Sequence, residues 1–248
     1  MELRRFRADL HIHSCLSPCG ELTNYPRKIV ERALDEGLQI IALSDHNTAE
    51  NAAATVQAAA GTGLTVFPGM ELTSEEEVHI LAVFESMADA GPAQEDVYKS
   101  LPEAQDKDPF VQEQVVVNKD DEVTGFCSRC LMAATRLTVH EIVELIHRHN
   151  GLAIASHIDR EAFGLVSQLG FIPPDLDLDA LEVSPLTSIA QARAAANPPS
   201  RLPMVRFSDA HKPEEIGRAS TDFLLAAPTV DELRLALHKK GGRRVCRP

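Results

Sequence analysis

Six histidines of this chain stand beside acids at the edges of short apolar runs. "ADLHIHS" carries His11 and His13 two residues apart, behind Asp9. "LSDHNT" joins Asp45 to His46, "PGMELT" carries Glu71, "EEEVHIL" His79, "ASHIDRE" His157, and "FSDAH" Asp209 and His211. Imidazole nitrogens and carboxylate oxygens are ligands of zinc, manganese and iron, and one carboxylate can bridge two ions. On a strand, alternate residues share a face, so His-x-His offers two nitrogens to one ion from one side. Asp-x-His after another strand reaches the same ion from across. Asp9 and Asp45 are expected behind the rings, accepting imidazole N–H groups. One histidine at a strand end is ordinarily a hydrogen-bonded structural residue; six with acidic neighbours point to a metal centre.

The other four of the ten histidines behave differently. "HEIVELIH" resembles a helical zinc motif but has Glu144 where the second histidine is needed. His140, His147, His149 and His238 are therefore read as helix-surface residues. Among five cysteines, Cys127 and Cys130 form a single C-x-x-C, and Cys15 and Cys19 follow the first apolar run. One C-x-x-C alone is weak support for a four-cysteine metal site.

Positioning such residues requires strands that end on one rim. Candidate strands fall at 8–12, 38–43, 64–68, 78–84, 152–156, 180–184, 203–207 and 222–226. Candidate helices fall between them at 26–37, 48–60, 138–149, 160–169, 187–196 and 229–240, the first opening on Pro26 and stopping at Gly37. This α/β alternation implies parallel strands with crossover helices, in a barrel or a doubly wound sheet. In a parallel barrel the carboxyl ends open on one face, which carries the site. His79 is the exception, since it begins its strand. Residues 86–136 break the rhythm. "EQVVVNKDDEVTGF" there reads as a β-hairpin turning at Asn118–Asp121. The segment is taken as an insertion on one domain spanning 1–248, either a lid or a surface embellishment. The basic tail "KKGGRRVCR" reads as a solvated terminus.

The 248 residues are 44% apolar, enough for a sizeable core, and carry a net charge of −13. That charge argues against a general nucleic-acid binder, although bound cations would offset it locally. No apolar run follows the basic residues at the start, and none approaches the roughly 20 residues that span a bilayer, so neither a leader nor a membrane span is expected. The odd cysteine count does not suit a disulfide framework, so a reduced, cytoplasmic protein is expected.

Taken in order, "DLHIHS", "SDHNT", "GMELTSEEEVHIL", "SHIDRE" and "SDAH" resemble the PHP family, named for polymerase and histidinol phosphatase domains. The likeness is strongest to small stand-alone bacterial phosphoesterases. It implies a distorted (β/α)7, TIM-like barrel with two or three divalent ions (Mn, Zn or Fe) at the carboxyl ends of its strands. By position, His11, His13, Glu71 and Asp209 would hold a first ion. Glu71 would bridge to a second, held also by His79 and His157, and His46 and His211 would hold a third. The family's remaining third-site ligand lies in the loop after His-x-His, often Asp before Gly. Here that loop reads "SCLSPCGEL", one residue longer, with Cys19 before Gly20. Cys19, Glu21 or water could complete the site.

The implied activity is hydrolysis of a small phosphomonoester or nucleotide by a metal-activated water. Glu71 would bridge the ions, a third ion (or His46 or His211 if the third site is empty) would stabilise or protonate the leaving group, and Arg160 and Lys212 would bind phosphate. The acidic balance favours a small, nucleotide-like substrate over a long nucleic acid. Two alternatives stand beside this reading. Amidohydrolases use similar barrels but often carry a metal-bridging lysine late in a central strand, and no predicted strand here ends in lysine. A non-catalytic, regulatory metal-binding module tends to lose ligands, and this set is nearly intact.

Overall fold

The computed structural model describes residues 2–102 and 114–247. Eleven strands and seven helices alternate along them. Nine strands form one curled sheet in the order β11-β10-β1-β2-β3-β4-β7-β8-β9. Strands β1 (Arg4–Ile12), β2 (Ile40–Leu43) and β3 (Thr65–Thr73) run parallel, as do β7 (Leu152–Ala155), β8 (Ala180–Glu182) and β9 (Met204–Val205). The sheet is not wholly parallel, however. Strand β4 (His79–Val83) is antiparallel to both β3 and β7, and β10 (Thr221–Leu225) is antiparallel to β1 and to β11 (Arg244–Arg247). The reason for β4 is local. Only residues 74–78 separate it from β3, with Ser74 N–H bonded to Val78 O at 2.9 Å, which is too short for a crossover.

The sheet closes on itself at one end. The amino half of β1 pairs with β10, from Arg4 opposite Leu225 to Ala8 opposite Thr221. Its carboxyl half instead meets the segment after β9: His13 N–H donates to Ala210 O at 2.9 Å and Ala210 N–H to His11 O at 3.3 Å. Phe6, Ala8, Leu10, Phe67, Leu81, Ile154, Phe207 and Phe223 fill the barrel interior. A second apolar layer seats the helices. Helix α1 (Pro26–Asp35) buries Ile29, Val30 and Ala33, and α4 (Val139–Arg148) buries Ile142, Val143 and Ile146. Each fully buried aliphatic side chain contributes about 1.5–3 kcal/mol by burial. Helix α4 starts on a capping box, with Thr138 accepting from Glu141 N–H and Glu141 from Thr138 N–H. The chain is an α/β protein with a nearly closed, barrel-shaped sheet.

The hairpin expected within 86–136 is present as β5 (Val115–Val117) and β6 (Val123–Phe126). Residues 103–113 of the expected insertion lie outside the described residues. Its opening part forms α3 (Met87–Ser100), a helix that the sequence reading does not place, although it carries the breaker pair Gly91–Pro92 inside it. Packing overrides that signal: Ala90, Ala93 and Val97 are fully buried in the helix-facing core. Helices α2 (Ala52–Ala58), α5 (Leu165–Leu169), α6 (Ile189–Ala196) and α7 (Val230–Leu237) complete the set.

Candidate metal centre

Simple alternation would turn His11 away from the barrel mouth, because Phe6, Ala8 and Leu10 already face its interior. The pairing of β1 with β2 shifts register between Asp9 and Ile12, so Leu10 and His11 both point inward, and Ile12 joins the outer layer. Such irregularities re-aim side chains beside active sites. Both imidazoles then enter one buried cluster, as the His-x-His pattern requires.

Glu71 is the hub of that cluster. It lies near the end of β3, held by Glu71 N–H to Asp45 O at 3.0 Å and Asn47 N–H to Glu71 O at 2.9 Å. Its carboxylate is 1% exposed in residue terms. Oε1 lies 3.0 Å from His79 Nδ1 and 3.3 Å from both His11 Nε2 and His157 Nε2. Oε2 lies 3.3 Å from His46 Nδ1 and 3.5 Å from His13 Nε2. Asp209 Oδ1 approaches His13 Nε2 at 3.2 Å and His11 Nε2 at 3.4 Å. His79 resolves as a consequence of topology: β4 is antiparallel, so its first residue shares the rim with its neighbours' last residues. His157 and Asp209 hold left-handed backbones, at φ of 25° and 49°. Such strain costs on the order of 1–3 kcal/mol per residue and concentrates at functional sites.

Hydrogen-bond partners assign the ring protons. His11 Nδ1 lies 2.9 Å from Glu182 Oε2, so it carries the hydrogen and leaves Nε2 with its lone pair. Ser17 Oγ donates to Asp45 Oδ1 at 2.6 Å and therefore accepts from His13 Nδ1 at 3.1 Å, freeing His13 Nε2. His211 Nδ1 donates to Asp209 O at 2.9 Å. The lone pairs thus face one another, with His11 Nε2 and His13 Nε2 only 3.2 Å apart. Glu71 Oε1 and His79 Nδ1 are buried without hydrogen bonds despite their proximity. Converging lone pairs from nitrogen and carboxylate fit divalent cations, which alone satisfy all of them.

The donors fall into three overlapping groups whose atoms lie within 4.8 Å of one another: His11, His13, Glu71 and Asp209; His46, Glu71 and His79; and His13, Cys19, His46 and His211. Electrostatics follow the same arrangement. Burial alone would raise Glu71, yet the imidazoles of His79 and His11 hold it well below the usual carboxylate range. Burial would also raise Asp209, but His11 and His13 hold it low. Burial, reinforced by His13, lowers both His46 and His211, the latter to about 4.

Other expected residues sit differently. Arg160 reaches the cluster, with Nη2 2.6 Å from Asp209 Oδ2. Lys212 is half-buried beside His211, with no ion pair to the cluster among the described residues. Asp9 does not hold an imidazole. It accepts from Ser208 N–H at 2.9 Å and Gly217 N–H at 3.0 Å, because the outward phase of β1 before the register shift points it at the loop after β9. Burial pushes Asp9 up to about 6. Asp45 acts one step removed, through Ser17 on His13. The residue that does hold an imidazole is Glu182 on β8, which the sequence reading missed. Its signal was an acid inside a buried apolar run, "ALEVS".

His140, His147, His149 and His238 lie outside all three donor groups, as expected. So do Cys127 and Cys130. Cys127 is instead buried with Leu16 and Leu131.

With this geometry in view, the chain belongs to the PHP-domain family. The family model for the PHP domain matches residues 9–176, and that for the PHP-associated segment matches residues 192–240. An uncharacterised protein of Methanocaldococcus jannaschii is 27% identical over 185 residues, 71% of this chain and 80% of that protein. A lesion-specific endonuclease of Pyrococcus furiosus is similar in structure, with a TM-score of 0.70 and 19% identity. The match covers 98% of this chain but only 58% of the endonuclease chain. An amidohydrolase of Chromobacterium violaceum solved with bound sulfate aligns at a TM-score of 0.56 and 19% identity, over 85% of this chain and 89% of that one. Among the described residues, no helix is long and apolar enough to cross a membrane.

Proposed function

We propose that this chain hydrolyses a small phosphomonoester, nucleotide-like in size, with two or three divalent ions (Mn, Zn or Fe). The observation that carries the reading is one buried carboxylate, Glu71, with five imidazole nitrogens 3.0–3.5 Å from its oxygens. His11, His13, Glu71 and Asp209 would hold a first ion, and Glu71 with His79 and His157 a second. His46 and His211 would serve a third. When bound, such ions supply a nucleophilic water of lowered pKa and positive charge for phosphoryl oxygens. The chain's own residues orient that chemistry. Glu182 fixes the His11 ring, Ser17 fixes His13, and Arg160 offers its remaining N–H groups to phosphate beside Asp209. His46 and His211 face the leaving group. Burial favours their neutral forms, which suits coordination of a third ion better than protonation of the leaving group. Lys212 serves phosphate from the rim.

The acidic charge supports a small substrate. So does the likeness to an endonuclease of which this chain spans little more than half. Nucleic acid remains the second substrate class, because a related endonuclease structure holds a 27-mer duplex with an abasic lesion at its active site. Five free thiols accord with a reduced, cytoplasmic setting. The test is phosphate release from a panel of phosphomonoesters and nucleoside bisphosphates, with protein reconstituted in manganese. Release from a subset, abolished by chelator, supports the reading. No release, with metal shown to be bound, turns it toward a nuclease, an amidohydrolase or a regulatory metal-binding module.

A further inference from the structure

The loop after β1 is built to hold one thiol at the barrel mouth. Asp45 gathers its start, accepting from Ser14 N–H and Ser14 Oγ at 2.7 Å each and from Ser17 Oγ at 2.6 Å. Ser17 N–H then donates to Ser14 O at 3.2 Å and Gly20 N–H to Ser17 O at 2.8 Å. Glu21 N–H ties the far side to His211 O at 2.8 Å. Gly20 is required at its position, since a Cβ there would sit 2.3 Å from Ser14 O. Leu16 anchors the middle, fully buried with Cys127 and Leu131. Backbone pinned at so many points fixes where residue 19 stands. Its thiol lies within 4.8 Å of a ring nitrogen of each of His13, His46 and His211, and the residue is exposed. Cys15, four residues earlier, is buried elsewhere, with Sγ 3.8 Å from Asn51 Nδ2.

Resting on the metal-centre reading above, we propose that Cys19 is a thiolate ligand which, with His46 and His211, makes the outer metal position a soft Cys–His–His site. His13 belongs to two donor groups but has one free lone pair, because its Nδ1–H is committed to Ser17. Its Nε2 is 3.2 Å from Asp209 and serves the inner ion. The outer position then has three protein ligands and an open coordination place, the pattern of a reactive zinc site rather than a closed structural one. Thiolate selects zinc or cobalt, whereas the inner carboxylate-rich position accepts manganese as well. Occupation forms one sulfur–metal bond and releases the thiol proton to solvent. The centre is therefore two-toned: hard donors inside, a soft donor at the entrance. Iodoacetamide at the exposed Cys19, whose sulfur takes the carbon as the carbon–iodine bond breaks and iodide leaves, should remove the outer ion and leave the inner ones.

Cobalt(II) reports thiolate ligation directly, through a sulfur-to-cobalt charge-transfer band in the near ultraviolet. The full chain saturated with cobalt should show this band. Cys19→Ser should lose it and bind about one ion fewer per chain, whereas Cys15→Ser and Cys127→Ser should keep both. Cys19→Asp should restore the ion count without the band and shift the outer preference toward manganese. Absence of the band in the wild type, or its survival in Cys19→Ser, overturns the assignment. Circular dichroism of the variants guards against misfolding. The readout is independent of turnover. A band with no phosphate release would sink the phosphatase reading alone, and release without the band would sink the thiolate alone. A wild type that binds no cobalt would sink both.

Discussion

Asp209 turns its two carboxylate oxygens to different partners, with Oδ2 2.6 Å from Arg160 Nη2 and Oδ1 3.2 Å from His13 Nε2 and 3.4 Å from His11 Nε2. One acid thus links the cation from the loop after β7 to the His-x-His strand, and it does so from a left-handed backbone that a rigid setting must enforce. Arg160 is consequently fixed at the cluster's edge rather than waving in solvent. Replacing it with glutamine should raise KM for the phosphoester by roughly 10- to 150-fold, the equivalent of about 1.5–3 kcal/mol for a charged hydrogen bond. Steady-state kinetics check this. A change confined to kcat would reassign Arg160 to positioning Asp209.

Glu71→Gln removes the charge that all five neighbouring imidazoles face. Turnover should fall at least about a thousandfold, more than the loss of a single oxyanion-stabilising donor. Metal content measured alongside should fall too. A variant near the wild-type rate would sink the bridged centre.

Glu182 sets the His11 tautomer through a buried contact of 2.9 Å. Glu182→Gln keeps the shape but weakens the acceptor. Metal affinity should drop about tenfold, at the mild end for a residue that orients a ligand. A competing chelator measures it, and an unchanged affinity would show that the ring is oriented by packing alone.

Leu131 is fully buried against Leu16 and Cys127, where the 86–136 segment meets the Cys19 loop. Leu131→Ala should cost about 2–3 kcal/mol, the low end for such truncations because the cluster is small and can collapse. Urea unfolding gives the value. If this segment buttresses the loop, turnover should fall as well; full activity would make it an embellishment.

His147 belongs to none of the donor groups and pairs with Asp179 at 3.0 Å. The Asp179 hydrogen bond raises His147 above its ordinary value of 6.5, against the opposing effect of burial. A histidine raised in the folded state stabilises fully below 6.5 and loses that contribution as pH climbs through the raised value. The stability gap between wild type and His147→Gln should therefore be wider at pH 5.5 than at pH 8.5. Denaturant titrations at both settle it, and a gap that grows with pH would contradict the pairing.

What the amino-acid sequence revealed, and what it hid, divides along physical lines. Residues paired within a motif were legible, because His11 and His13, or Asp209 and His211, announce themselves by spacing. His79 looked anomalous only while β4 was taken as parallel; the short 74–78 connection held the answer. Glu182 stayed hidden because one acid in an apolar run has no spacing to read. Asp9 misled because a register shift cannot be seen in a pattern of alternation. Helix α3 went unplaced inside the segment read as an insertion; its Gly91 and Pro92 oppose a helix, and tertiary burial of Ala90, Ala93 and Val97 outweighs them.

The seam where β1 meets Ala210 is closed by two backbone hydrogen bonds, and donors to the metal centre stand on both banks: His11 and His13 on one, Asp209 of the inner group and His211 of the outer on the other. An ion held across that seam is a clasp on the barrel as well as a reagent. Its departure would slacken the wall at the mouth, so the same loss that silences the chemistry would also let the container come undone.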